Sequence, residues 1–188
     1  MLIKNNIINT KKEDGITLVA LVITIVLMLI IATITINIGK GQILNAHLQN
    51  YKTNMLLIEA KAKEYVEKAS FNLGVNPTDE KRQNAQNELQ GEGKGTLVTT
   101  SDSIINDIKA MGVADIDTQI SDKNVYKLST SDLEKMGING AKSDEEEGYY
   151  ILIYNIPEST VKVYNTLGFN INNEIKYCLD DIREIDEV

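Results

Sequence analysis

The sequence predicts an α+β protein in which one long N-terminal helix, its first half membrane-spanning and its second half amphipathic, packs against a small antiparallel sheet. Three observations carry the prediction. The run from Ile16 to Ile38 holds no charged residue. Between Leu44 and Ala69 apolar residues return at alternating spacings of four and three. In the last third of the chain, β-branched and aromatic residues alternate with polar ones between turns bearing Asn, Gly and Pro.

The uncharged run lies between Asp14 and Lys40. As a helix rising about 1.5 Å per residue it is long enough for a bilayer core of roughly 30 Å. Its threonines are compatible with a span because each hydroxyl can bond back to a carbonyl one turn earlier. A secretory signal peptide would instead have an apolar core of about 7 to 15 residues followed by a small-residue cleavage site, which Ala32-Thr33-Ile34 fits poorly. Residues 1–15 form a polar leader with Lys4, Lys11 and Lys12. By the positive-inside rule these lysines hold the N-terminus in the cytoplasm and direct the C-terminal head outside, although Lys40 and Lys52 reduce the asymmetry.

The junction K-K-E-D-G-I-T-L-V-A-L, a basic leader ending in Gly15 ahead of Ile16 and the apolar run, resembles the processing site of type IV prepilins and pseudopilins. The resemblance implies cleavage by a prepilin peptidase between Gly15 and Ile16 and methylation of the new N-terminus at Ile16. It also implies a pilin-like fold. Ala20 departs from the family, where the fifth residue after the cut is usually a glutamate that pairs with a neighbouring subunit's amino terminus. On this resemblance the expected function is a structural subunit, a minor pilin or pseudopilin, of a type IV pilus-like or type II secretion-like filament. The expected partners are membrane lipid, the peptidase and other pilin or pseudopilin subunits. The expected location is a single-pass membrane position, then the cell surface or a filament. A different class of function, a single-pass anchored extracellular binding or sensory protein, is the alternative; it predicts an uncut leader.

Residues 39–71 form the amphipathic half. Leu44, Leu48, Tyr51, Met55, Ile58, Ala62, Tyr65 and Ala69 fall in one stripe, expected to pack against the sheet, with Lys52, Glu59, Lys63, Glu64 and Lys68 opposite. A coiled-coil stalk would show the same spacing, but small alanines beside tyrosines suit a sheet better. Gly39 and Gly41 read as a hinge at the start of this half.

Residues 72–95 read as a linker loop in which only Asp79 to Leu89 has the composition of a short helix. The string G-E-G-K-G-T lacks the G-K-[ST] of a phosphate loop. Within the head, 96–188, a short strand is expected at Thr96–Thr100, followed by a helix whose face is Ile104, Ile105, Ile108 and Met111. Ser131 with Glu134 predicts a capping box for a helix ending at Met136 and Gly137. Strands are expected at Tyr149–Tyr154, Thr160–Tyr164 and Glu174–Leu179, with Val161 and Val163, and Ile175, Tyr177 and Leu179, as single buried faces. The acidic tail from Asp180 is expected to fray or to end in a half-turn of helix.

Composition narrows the chemistry. The 188 residues carry 19 basic and 27 acidic side chains, a net charge of −8, with the acid downstream of the apolar run. A surface that neutralises a nucleic-acid backbone needs clustered Lys and Arg, so no nucleic acid is expected as a partner of this chain alone. The one cysteine, Cys178, has no partner for an internal disulfide. With the one histidine, His47, it supplies too few ligands for a zinc site. The run Ser143–Glu147 lacks the spacing and central glycine of a calcium loop and reads as a solvated turn. No nucleophile with a base or nucleotide loop is visible, so neither catalysis nor a cofactor is expected.

Overall fold

The described residues open as helix because nothing in the apolar stretch competes for its backbone, and they stay helix because the amphipathic stripe downstream has a face to bury. In the computed structural model, which describes residues 18–186 and side chains over 21–28 and from 42 onward, α1 runs Leu18–Leu73. Gly39 and Gly41 lie within it as helix, despite the roughly 1 kcal/mol of propensity each forgoes relative to alanine. The helix ends where Gly74, at φ 63°, donates its N–H to the Ser70 carbonyl, a left-handed closure that glycine enters without a Cβ penalty.

The structure divides into two compact units between Ile43 and Leu44. In the first, the described side chains are Leu21–Met28, where Thr24 Oγ1 donates to the Leu21 carbonyl at 2.8 Å. Among the described residues no helix is long and apolar enough to cross a membrane. This finding overturns the membrane-spanning half expected over Ile16–Ile38, and with it the pilin-like fold class.

What the second unit has instead is a set of helices packed against an open five-stranded antiparallel sheet. After α1 come α2 (Asp79–Asn87), β1 (Thr96–Leu97), α3 (Ile105–Ala110), α4 (Ile116–Ser121), β2 (Val125–Lys127), α5 (Thr130–Lys135), β3 (Tyr150–Asn155), β4 (Thr160–Ile171), β5 (Glu174–Cys178) and α6 (Leu179–Ile182). The strands lie in sequence order with every neighbour antiparallel. Two of the five, β1 and β2, lie outside the three-strand meander expected from the last third of the chain.

Both faces of the sheet are covered. One core unites Leu48, Met55, Ile58, Ala62, Val66 and Ala69 of α1 with Tyr126, Leu128, Tyr150, Leu152, Tyr154 and Val163 of the strands. The other unites Val125, Ile151, Ile153, Tyr164 and Cys178 with Ile104, Ile108, Ile116 and Ile120 from the α3–α4 region. Alternation along β3 sends Tyr150, Leu152 and Tyr154 to the first core and Ile151 and Ile153 to the second. The segment between α1 and β1 contributes Ala85 and Leu89 to the first core, both fully buried. The tail contributes too: Ile182 is fully buried, and Arg183 pairs with Glu59 at 2.7 Å.

Three local expectations are corrected. The capping box is Ser129–Asp132, not Ser131–Glu134: Asp132 N–H donates to Ser129 Oγ at 3.2 Å and Ser129 N–H to Asp132 Oδ2 at 2.9 Å. The expected loop after Tyr164 is strand, because β4 continues to Ile171 through a register shift between Tyr164 and Phe169. The buried face expected of β5 is met only in part: Ile175 is 46% exposed, Tyr177 is half-buried against the second core, Cys178 is buried, and Leu179, buried as expected, opens α6.

Asn165, fully buried, holds the shift in place. Its Nδ2 donates to the carbonyls of Glu147 and Gly148 at 3.2 and 3.4 Å, and its Oδ1 accepts from the N–H groups of Leu167 and Gly168 at 3.0 and 3.3 Å. Gly168, at φ 64°, is required there: a Cβ would stand 2.6 Å from Ile175 Cγ2 and 2.8 Å from the Lys176 carbonyl.

Candidate interaction surfaces

The most apolar exposed stretch of the described chain lies on α1. Leu21, Val22, Ile23, Ile25, Val26 and Leu27 are each about half exposed, and Met28 is 71% exposed. At 100° per residue these seven side chains point in every direction around the helix. Uniform half-exposure is what side chains show when only their own helix neighbours shade them. A helix apolar all round is a helix whose environment must come from elsewhere.

The stripe further along α1 has a different fate. Leu48, Met55, Ile58, Ala62 and Ala69 are fully buried, Tyr51 and Tyr65 are half-buried against the same core, and Leu44 is 41% exposed. Val66, fully buried, belongs to this face although it breaks the strict four-three count. Gly15 and Ile16 lie outside the described residues. Ala20 lies in the first turns of α1, its side chain outside them.

A cleft of about 300 Å³ opens where His47, Asn50, Tyr51 and Asn54, on one side of α1, face Gly140–Lys142, Glu147 and Phe169. Tyr51 and Phe169 pack with ring centroids 5.5 Å apart. The Tyr51 hydroxyl is itself buried with no hydrogen-bond partner among the described residues, and burial, followed by the nearness of Tyr150, pushes its pKa above the usual phenol range. His47 is exposed at the rim. Cys178 is a free, buried thiol whose pKa is raised by burial, which keeps it in the unreactive protonated form.

The acidic run 143–147 builds an Asx turn: Asp144 Oδ1 accepts from the N–H groups of Glu146 and Glu147 at 3.0 and 2.9 Å. Its first residue is not solvated. Ser143 Oγ donates to the Leu128 carbonyl at 2.6 Å and accepts from Tyr150 N–H at 3.0 Å, tying the turn to the sheet. Neither Ser143 nor Asn165 carries a signal in the sequence. Each is a buried polar residue whose partners are backbone groups brought near only by folding.

With no membrane-crossing helix among the described residues, the expectations that rested on one are corrected together. These are the prepilin-type resemblance, the filament subunit of a pilus or secretion system, the single-pass anchored alternative, membrane lipid and prepilin peptidase as partners, and the single-pass location with its head outside the cell. Comparison with protein-family models, with curated proteins and with solved structures gives no match for this chain.

Proposed function

We propose that this chain acts without catalysis, as an assembly module that joins copies of itself through the apolar stretch Leu21–Met28 of α1. The observation that carries the reading is the uniform exposure of seven large apolar side chains on all sides of one helix. Apolar surface in water costs about 25 cal/mol per Å², and a stretch bare on every side is relieved best by several like helices gathered round it rather than by a single partner. A second copy is the natural occupant because it supplies the same apolar stretch with no unpaired charge. The second unit, with its own two cores, then serves as the body that such an assembly carries.

The test is the oligomeric state of the full chain by sedimentation and native mass spectrometry, against a variant with Leu21, Ile23, Ile25 and Leu27, which span opposite sides of the helix, all replaced by Gln. Concentration-dependent assembly of the parent chain into species larger than a dimer, lost in the variant with the unfolding transition of the second unit unchanged, supports the reading. Equal association of the two proteins, or none in either, overturns it.

A further inference from the structure

The sheet is open, and β5 is one of its two edges. The β4–β5 hairpin closes through Asn172 and Asn173, at φ 53° and 68°, the two-residue turn that makes its flanking pair, Ile171 and Glu174, a hydrogen-bonded one. Hydrogen-bonded and non-bonded pairs alternate from there, so Lys176 turns its backbone groups toward β4 while Ile175 and Tyr177 turn theirs outward. Among the described residues no backbone hydrogen bond reaches those outward groups from any other element. Beside them Ile175 is 46% exposed, and Glu174 and Lys176 form an ion pair at 2.8 Å with Glu174 largely in solvent.

An unpaired edge is a template for another strand unless charge or shape blocks it. Here the charges choose a partner. We propose that β5 is a strand-addition edge for a second copy of the same chain, paired antiparallel about Ile175. In that register Ile175 faces its own counterpart and exchanges two backbone hydrogen bonds with it. Glu174 of each copy faces Lys176 of the other, and no like charges meet. The neighbouring symmetric registers fail: centring on Lys176 sets lysine against lysine, and centring on Glu174 sets carboxylate against carboxylate. The triplet Glu-Ile-Lys is its own complement when reversed, and opposite charges directly across a strand pair are favourable while like charges are not. This contact uses a surface separate from the apolar stretch of α1, so either can exist without the other.

The experiment has two arms. In the first, equal amounts of unlabelled and ¹⁵N-labelled full chain are mixed and treated with a carbodiimide, and cross-linked peptides are read by mass spectrometry. A Glu174–Lys176 link joining one labelled and one unlabelled strand is expected; links only within single chains overturn the proposal.

The second arm measures self-association by sedimentation in the full chain carrying the four α1 replacements, so that assembly through α1 does not mask it. E174K and K176E each weaken association about tenfold or more, because two attractive pairs become two repulsive ones. An equimolar mixture of these two variants recovers it, as does the double swap E174K/K176E. Single swaps without effect, or swaps that do not rescue one another, overturn the proposal. Both positions lie at the edge of the sheet, so the fold is not at stake, and unchanged unfolding midpoints check this.

Discussion

The two faces of the sheet solve the same burial problem with different residues. Toward α1 the strands present large side chains, among them Tyr126, Leu152 and Tyr154, against a helix surface that includes Ala62 and Ala69. Small residues on the helix let its backbone come close, and the tyrosines fill the space that remains; Tyr126 and Tyr154 meet edge-to-face at 5.5 Å. On the other face nearly every residue is an isoleucine or valine, covered by α3 and α4 of six residues each. The first face is held mainly by one long element that cannot adjust locally, with α2, α5 and α6 adding buried residues beside it. The second is held by two short ones that can.

The sharpest way to break this contrast is to cut equal amounts from adjacent positions of β3. Leu152 and Ile151 are isomeric, both fully buried, and point to opposite faces. The cost of such a truncation, about 2–5 kcal/mol, depends on how far the surroundings close round the lost atoms. Leu152→Ala is therefore expected near the top of that range and Ile151→Ala near the bottom, measured by urea unfolding. Equal losses would mean that α3 and α4 are as unyielding as α1.

A smaller effect is read by pH, and burial raises tyrosine pKa values on both faces, Tyr164 of the second core included. On the α1 face the hydroxyl of Tyr154, like that of Tyr51, is buried with no partner among the described residues. Burial raises the pKa of each above its ordinary value of 10.0. The unfolded chain ionises its tyrosines first, so the contribution of these neutral phenols is present in full below about pH 10 and is lost as pH climbs from there toward the folded-state values. Each group removes about 1.4 kcal/mol per pH unit in that window. Tyr154→Phe should flatten the fall in stability between pH 10 and pH 11 by about that amount. It should also stabilise the protein at pH 7 by about 1 kcal/mol, since a partnerless hydroxyl only costs desolvation. A steeper alkaline fall in the variant, or a loss at pH 7, would show that the hydroxyl is in fact satisfied.

The same contrast explains what the sequence displays and what it hides. In α1 the periodic stripe runs through Leu48, Met55, Ile58, Ala62 and Ala69, all buried, because many turns of one helix repeat the same signal. The second face has no such repetition: Ile116 and Ile120 sit on a helix too short for a period to show, entered through Asp115 in a left-handed conformation. Ala85 and Leu89, both buried, lie in a stretch so polar that it reads as linker, since one or two apolar residues in a short helix give no period to count. The register shift that Asn165 and Gly168 sustain is hidden too, since a strand's alternation cannot reveal a shift in its pairing. At the apolar end of α1, composition reports hydrophobicity but not what surrounds it, and a helix bare on all sides reads in sequence like one in lipid. The edge of β5 is legible only once the sheet order is known, because Glu-Ile-Lys acquires meaning from having no neighbour.

Helix ends carry the last and smallest difference. The two helices over the second face have no side-chain cap hydrogen bond at their N-termini, whereas α5, which adds Leu133 to the first core, has a complete capping box at Ser129 and Asp132. Both Ser129-x-x-Asp132 and Ser131-x-x-Glu134 match the box template, and the chain uses the earlier one. There the aspartate, though shorter than the glutamate or glutamine of the usual box, reaches back to the Ser129 N–H. Ser129→Ala should therefore cost about 1 kcal/mol by urea unfolding, while Ser131→Ala, exposed on the first turn, should stay within about 0.5 kcal/mol of the parent. A comparable loss at Ser131 would place the start of α5 two residues later in solution. No loss at either position would mean that α5, like α3 and α4, is held by what it buries and not by how it begins.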